Sequence, residues 1–136
     1  MKTFFDASVI VPLLNQESPH HVAALNHWNA ADARATSSHA LAEAWRTLTT
    51  LKKPLKPSIA SKLLEVLAPK METVDGTAAI CLEAMKRMES GGHTGAMIYD
   101  ALHCVAAGKC QADKIVTRNK KHFDYFAAGI PVEEVS

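Results

Sequence analysis

The chain has 136 residues, 48% hydrophobic and 21% charged, a balance that excludes a disordered tail. At just under the roughly 150 residues of a typical domain, it is expected to form a single domain over residues 1–136. Fifteen Lys and Arg against 14 Asp and Glu leave a formal charge of +1, so any nucleic-acid contact must come from a local patch rather than a basic chain. Cys81, Cys104 and Cys110 are odd in number and lack C-x-x-C spacing, which favours free thiols and a reducing, cytoplasmic setting. Asp6 interrupts the first apolar stretch before it could serve as a signal peptide, and no run reaches the roughly 18 apolar residues of a membrane span.

Thr3–Phe5 reads as a short strand, followed by Asp6 as a plausible N-cap for a helix over Ala7–Leu14. Ser18-Pro19 opens a second helical segment whose Val22, Leu25 and Trp28 form one apolar stripe, and Asp32–Thr36 is a candidate strand. Ser37 or Ser38 caps a helix running to about Leu51, and the lysine- and proline-rich stretch Lys52–Pro57 is a solvated connector. Ser58–Leu67 is helical, Met71–Val74 a strand, and Thr77–Met88 a helix stopped by Gly91-Gly92. Gly95–Ala107 is a helix apolar nearly all round, followed by strands at Lys114–Thr117 and Pro131–Val135. Helices alternating with short strands predict an α/β domain whose mainly parallel sheet is covered on both faces.

Asp100 stands out in this pattern. Its helix neighbours Ala96, Met97, His103 and Cys104 include no Lys or Arg, and a buried carboxylate must take up a proton or find a cation. Glu65 and Glu83 differ, because Lys62 and Lys86 or Arg87 lie three or four residues away on the same helix face. Glu43 is intermediate: its flanks are apolar, but Arg46 three residues on offers an ordinary surface pair. Asp6 is either a helix cap or a ligand at the C-terminal end of a parallel strand, where open α/β sheets place their sites. Thr117, Arg118 and Asn119 follow another strand, so parallel pairing would bring them to the same edge. Two Asp, one Glu and an amide make an oxygen-rich set, which suits Mg2+ or Mn2+ better than Zn2+ and points to phosphate chemistry.

Other chemistries have less support. His39 and Glu43, and Asp100 and His103, share helix faces in a way that would serve zinc, but there is no H-E-x-x-H motif and no Cys/His cluster. Ser8 lacks a nucleophile elbow and is better placed to support Asp6 through local hydrogen bonds. No glycine-rich phosphate loop is present.

Taken together, four segments resemble the PIN-domain ribonucleases, and within them the VapC-like toxins of toxin–antitoxin pairs. Phe4–Ile10 resembles the opening strand with its Asp, Ala40–Leu48 the helix with its Glu, Tyr99–Ala107 the helix with its central Asp, and Ile115–Phe123 the last motif. The resemblance implies a three-layer α/β/α fold and Mg2+- or Mn2+-dependent hydrolysis of RNA. It also implies a homodimer neutralised by a cognate antitoxin. Asp6, Glu43 and Asp100 would be the metal ligands, Asn119 a further catalytic residue, and Ser8 and Thr117 their supports. Arg118, Lys120 and Lys121 would meet the RNA backbone. The fourth motif departs from the family: Asn119 stands where many members have Asp, with His122 nearby, which favours one well-held ion over two. Two alternatives follow from the residues: a PIN-like domain that binds RNA or protein with little catalysis, and a Mg2+-dependent phosphatase, although the D-x-D of the latter is absent after Asp6.

Overall fold

The computed structural model describes residues 1–136. Five strands, β1 (Lys2–Phe5), β2 (Ala33–Ser37), β3 (Glu72–Val74), β4 (Lys114–Thr117) and β5 (Val132–Glu134), form one sheet in the order β3-β2-β1-β4-β5. Every neighbouring pair is parallel, so the expected mainly parallel sheet is parallel throughout. The helices are α1 (Ala7–Leu14), α2 (His21–Ala30), α3 (Ser38–Thr49), α4 (Pro57–Leu67), α5 (Ala78–Ser90), α6 (Met97–Lys109) and α7 (Lys120–Phe126). None is long and apolar enough to cross a membrane.

The two-residue period of a strand divides the core. Phe4 and Ile115 face one side with α5, α6 and α7, while Phe5 and Val116 face the other with α1, α2, α3 and α4. Phe4 and Phe5 are both fully buried, and truncating either to Ala would cost about 3–5 kcal/mol. This is the α/β/α arrangement that the sequence predicts. Residues 101–107 of α6 are all buried, as expected for a helix apolar on nearly every side. The glycine stop after α5 is a Schellman turn: His93 N–H reaches the Met88 carbonyl, Gly92 N–H reaches that of Glu89, and Gly92 takes φ +68°.

Two readings change. The α2 stripe is not Val22, Leu25 and Trp28, since Val22 is 67% and Leu25 38% exposed; Ala24 and Trp28, four apart, form the buried side. Helix α7 has no counterpart among the expected elements, because only Phe123 and Phe126 in its seven residues are buried.

The strand order reverses direction at β1 and β4, the switch point outside whose C-terminal ends α/β sheets bind ligands. Phe5 is in register with Val116, so the residues that follow, Asp6 and Thr117, meet at this edge.

Candidate active site

Asp6 leaves β1 at the N-cap position of α1, yet its side chain makes no capping bond. It is 5% exposed and turns towards β4. Ser8 Oγ donates to its Oδ1 at 2.6 Å and Thr117 Oγ1 to its Oδ2 at 3.0 Å. Those hydroxyls are oriented in turn, since Ser8 Oγ accepts from the Arg118 N–H and Thr117 Oγ1 from the Asn119 N–H. Of the two readings of Asp6, the side-chain cap is not what its carboxylate does. Burial outweighs these hydrogen bonds and leaves its carboxyl pushed up to about 6.

Asp100 projects from the first turn of α6. Its Oδ2 accepts from Asn119 Nδ2 at 3.2 Å and lies 3.1 Å from His122 Nδ1, which itself sits 2.8 Å from Asn119 Nδ2. No Lys or Arg pairs with it, as the sequence indicates, but a histidine brought by α7 does. Burial holds the Asp100 carboxyl above its usual range, with the nearby Glu43 charge adding to the shift and His122 opposing it.

Glu43 belongs to α3, on the layer opposite α6. Its Oε1 lies 2.6 Å from Nε2 of His103, a residue of α6 that is 2% exposed, so this bond joins the two helical layers over the edge of the sheet. The other ring nitrogen, Nδ1, is 2.9 Å from Ser37 Oγ, which also accepts the Ala40 N–H as the cap of α3. Because a carboxylate only accepts, the ring presents Nε2–H to Glu43. Burial pushes Glu43 up, but the His103 bond together with the His103, His39 and Arg46 charges outweighs it and leaves the carboxyl below its usual range. His39, stacked on Tyr99, stands 3.7 Å from the same oxygen. The partners of Glu43 are therefore histidines rather than the Arg46 pair that sequence spacing offers.

Asp6, Glu43 and Asp100 line one cavity of about 410 Å³, together with His103, Arg118 and Asn119. Lys120 is held by Asp124 at 2.8 and 2.9 Å, and neither it nor the exposed Lys121 lines the cavity. Sequence reasoning misses His103 as the partner of Glu43 and His122 as the partner of Asp100; the α6 spacing signals only that His103 shares a face with Asp100.

The donor chemistry fits a hard divalent cation. Three carboxylates share the cavity without a Lys or Arg ion pair on any of them, and the Asn119 amide, whose Nδ2 donates to Asp100, leaves its carbonyl oxygen for another ligand. No three His, Cys, Asp or Glu side chains converge closely enough to ligate one ion unaided, so binding would draw the carboxylates inward.

Comparison with known proteins identifies the family and the fold. Residues 3–128 match the family model for the PIN domain. Over 124 residues the chain is 32% identical to Ribonuclease VapC27 of Mycobacterium tuberculosis (strain ATCC 25618 / H37Rv), covering 89% of this chain and 87% of that protein. Its fold superposes on VapC20 of Mycobacterium tuberculosis, a Sarcin-Ricin loop cleaving toxin, with a TM-score of 0.76 and 21% identity over 94% of this chain and 95% of that one. It also superposes on VapBC2 from Rickettsia felis, solved bound to a DNA fragment from its promoter, with a TM-score of 0.71 and 20% identity over the whole of both chains. The chain belongs to the PIN-domain family, among its VapC-like ribonucleases.

Proposed function

We propose that this protein is a divalent-metal-dependent ribonuclease that hydrolyses RNA phosphodiester bonds, the toxin of a toxin–antitoxin pair. The observation that supports it most is the gathering of Asp6, Glu43 and Asp100, distant in sequence, around one cavity at the switch point of the sheet. Those three side chains would hold Mg2+ or Mn2+, with the Asn119 carbonyl oxygen beside them. When bound, the ion supplies an activated water and neutralises charge on the attacked phosphate. Ser8 and Thr117 fix the Asp6 carboxylate, His103 fixes Glu43, and Asn119 with His122 fixes Asp100, so each ligand is oriented by a second group. Arg118, at the rim, is placed to meet the RNA backbone.

A cognate antitoxin is part of this reading, since one solved structure of the same fold, with a TM-score of 0.67, is a toxin-antitoxin complex from Klebsiella pneumoniae. We also assign the chain to the cytoplasm, as a homodimer forming one domain over residues 1–136. The decisive experiment is cleavage of a labelled RNA with Mg2+ or Mn2+, with and without chelator, by the natural protein and by Asp100→Asn. The natural protein should cut only with the ion and the variant should not. Equal cutting by both would remove Asp100 from the chemistry. Metal-independent RNA binding without product would favour a binding domain that does not cut.

A further inference from the structure

Resting on the ribonuclease reading, we infer that a second cavity beside the carboxylates is a subsite for the backbone of single-stranded RNA flanking the cut, with Lys52 and Lys53 as its phosphate contacts. This cavity, of about 500 Å³, is lined by Asn15, Glu17, Ser18, Pro19, Leu51, Lys52 and Lys53. Asn15, Ser18 and Leu51 also line the carboxylate cavity, so the two are continuous.

The charges of the two halves are opposite. The first holds Asp6, Glu43 and Asp100 against Arg118, and the second holds two lysines against Glu17. A polyanion is repelled by the first half alone, and its affinity must come from cations beside it. Lys52 and Lys53 are exposed, and neither takes part in an ion pair. Lys120, by contrast, is occupied by Asp124.

The loop that carries the two lysines is braced. Leu55 N–H is bonded to the Leu48 carbonyl at 3.0 Å, and Pro54 and Pro57 limit the backbone around it. The lysines are thus presented on a restrained turn, which lowers the ordering cost of a phosphate contact. Asp6 is 5% exposed and lies in a recess. A flexible single strand can bend into such a recess while its neighbouring phosphates follow the groove.

The test is fluorescence anisotropy with a labelled single-stranded RNA of about a dozen nucleotides, in EDTA so that nothing is cut, across a range of salt concentrations. The Lys52→Ala/Lys53→Ala variant should bind roughly tenfold more weakly at about 0.1 M salt. Its plot of log affinity against log salt should be shallower by about 1.4, or roughly 0.7 for each lost single-strand contact. Lys86→Ala/Lys109→Ala removes the same charge from the other helical layer and should bind as the natural protein does, with circular dichroism checking both folds. Equal affinity and slope for the Lys52/Lys53 variant and the natural protein would overturn the subsite, as would equal weakening by both double variants or no RNA binding by the natural protein. Binding with the predicted lysine dependence but no cleavage on adding Mg2+ or Mn2+ would support the subsite and overturn the ribonuclease reading, so the two failures are distinct.

Discussion

The two ends of the sheet treat charge in opposite ways. Near the start of β1, Lys2 Nζ meets Glu72 at 2.8 Å, the N-terminal ammonium meets Asp32, and Asp113 accepts the Lys2 N–H at 2.7 Å. Here the shifts follow the pairing: Lys2 is raised by its Glu72 bond and Asp32 is lowered by the ammonium. At the C-terminal end, Asp6 and Asp100 are raised by burial, and their partners are hydroxyls, an amide and a histidine. One end is neutralised in solvent, where ion pairs contribute little; the other holds Asp6 and Asp100 without a Lys or Arg partner where charge costs most. Carboxylates left in this condition at the switch point are what the proposed cation site requires.

The strongest way to break this contrast is Asp100→Asn. It should lower metal-dependent RNA cleavage on the order of 100-fold or more while preserving the fold, as read by single-turnover assays beside circular dichroism. Next is His103→Ala, which frees Glu43 and leaves the Ser37 hydroxyl without its ring partner. We expect roughly 10- to 100-fold weaker Mn2+ binding by titration and about 1–3 kcal/mol less stability, with His103→Gln recovering part of the metal affinity. If His103→Ala loses stability but binds Mn2+ normally, the histidine is structural only.

Asp6 sharpens the same comparison through pH. Its carboxyl is raised from 3.8 to about 6, so its contribution to stability is fully present below the unfolded value and is lost as pH rises through the folded one. In EDTA, Asp6→Asn should therefore be more stable than the natural protein by about 1–3 kcal/mol at pH 8. That gain should close towards pH 4, in thermal melts at each pH. A gain equal at both pH values would locate its source outside the carboxylate charge. The smallest effect belongs to the other end, where Lys2→Ala should leave the melting temperature within about 2 °C of the natural protein. A fall comparable to that of His103→Ala would erase the difference between the two ends.

Much of the site was readable before the fold. Asp100 was legible because a helix apolar all round leaves a carboxylate nowhere to go, and Asp6 and Thr117 because both follow strands that a parallel sheet aligns. The histidines were not. His103 is an isolated polar residue on an apolar helix whose partners, Ser37 and Glu43, lie 66 and 60 residues away, beyond the reach of helix periodicity. His122 stands 22 residues from Asp100 and reaches it through α7, a helix too short to show a pattern. The α2 stripe differs from its spacing for a related reason: that spacing permits either face, and packing buries Ala24 and Trp28 instead of Val22 and Leu25.

The placement of β1 between β2 and β4 also sets a timetable for synthesis. Asp6 emerges early, but the Thr117 hydroxyl that grips it arrives 111 residues later, on a strand that must slot in beside one already made. A nascent or truncated polypeptide ending before β4 carries all three acids and still lacks one wall of the pocket. On the proposed reading, RNA cleavage would therefore wait until β4 has been made.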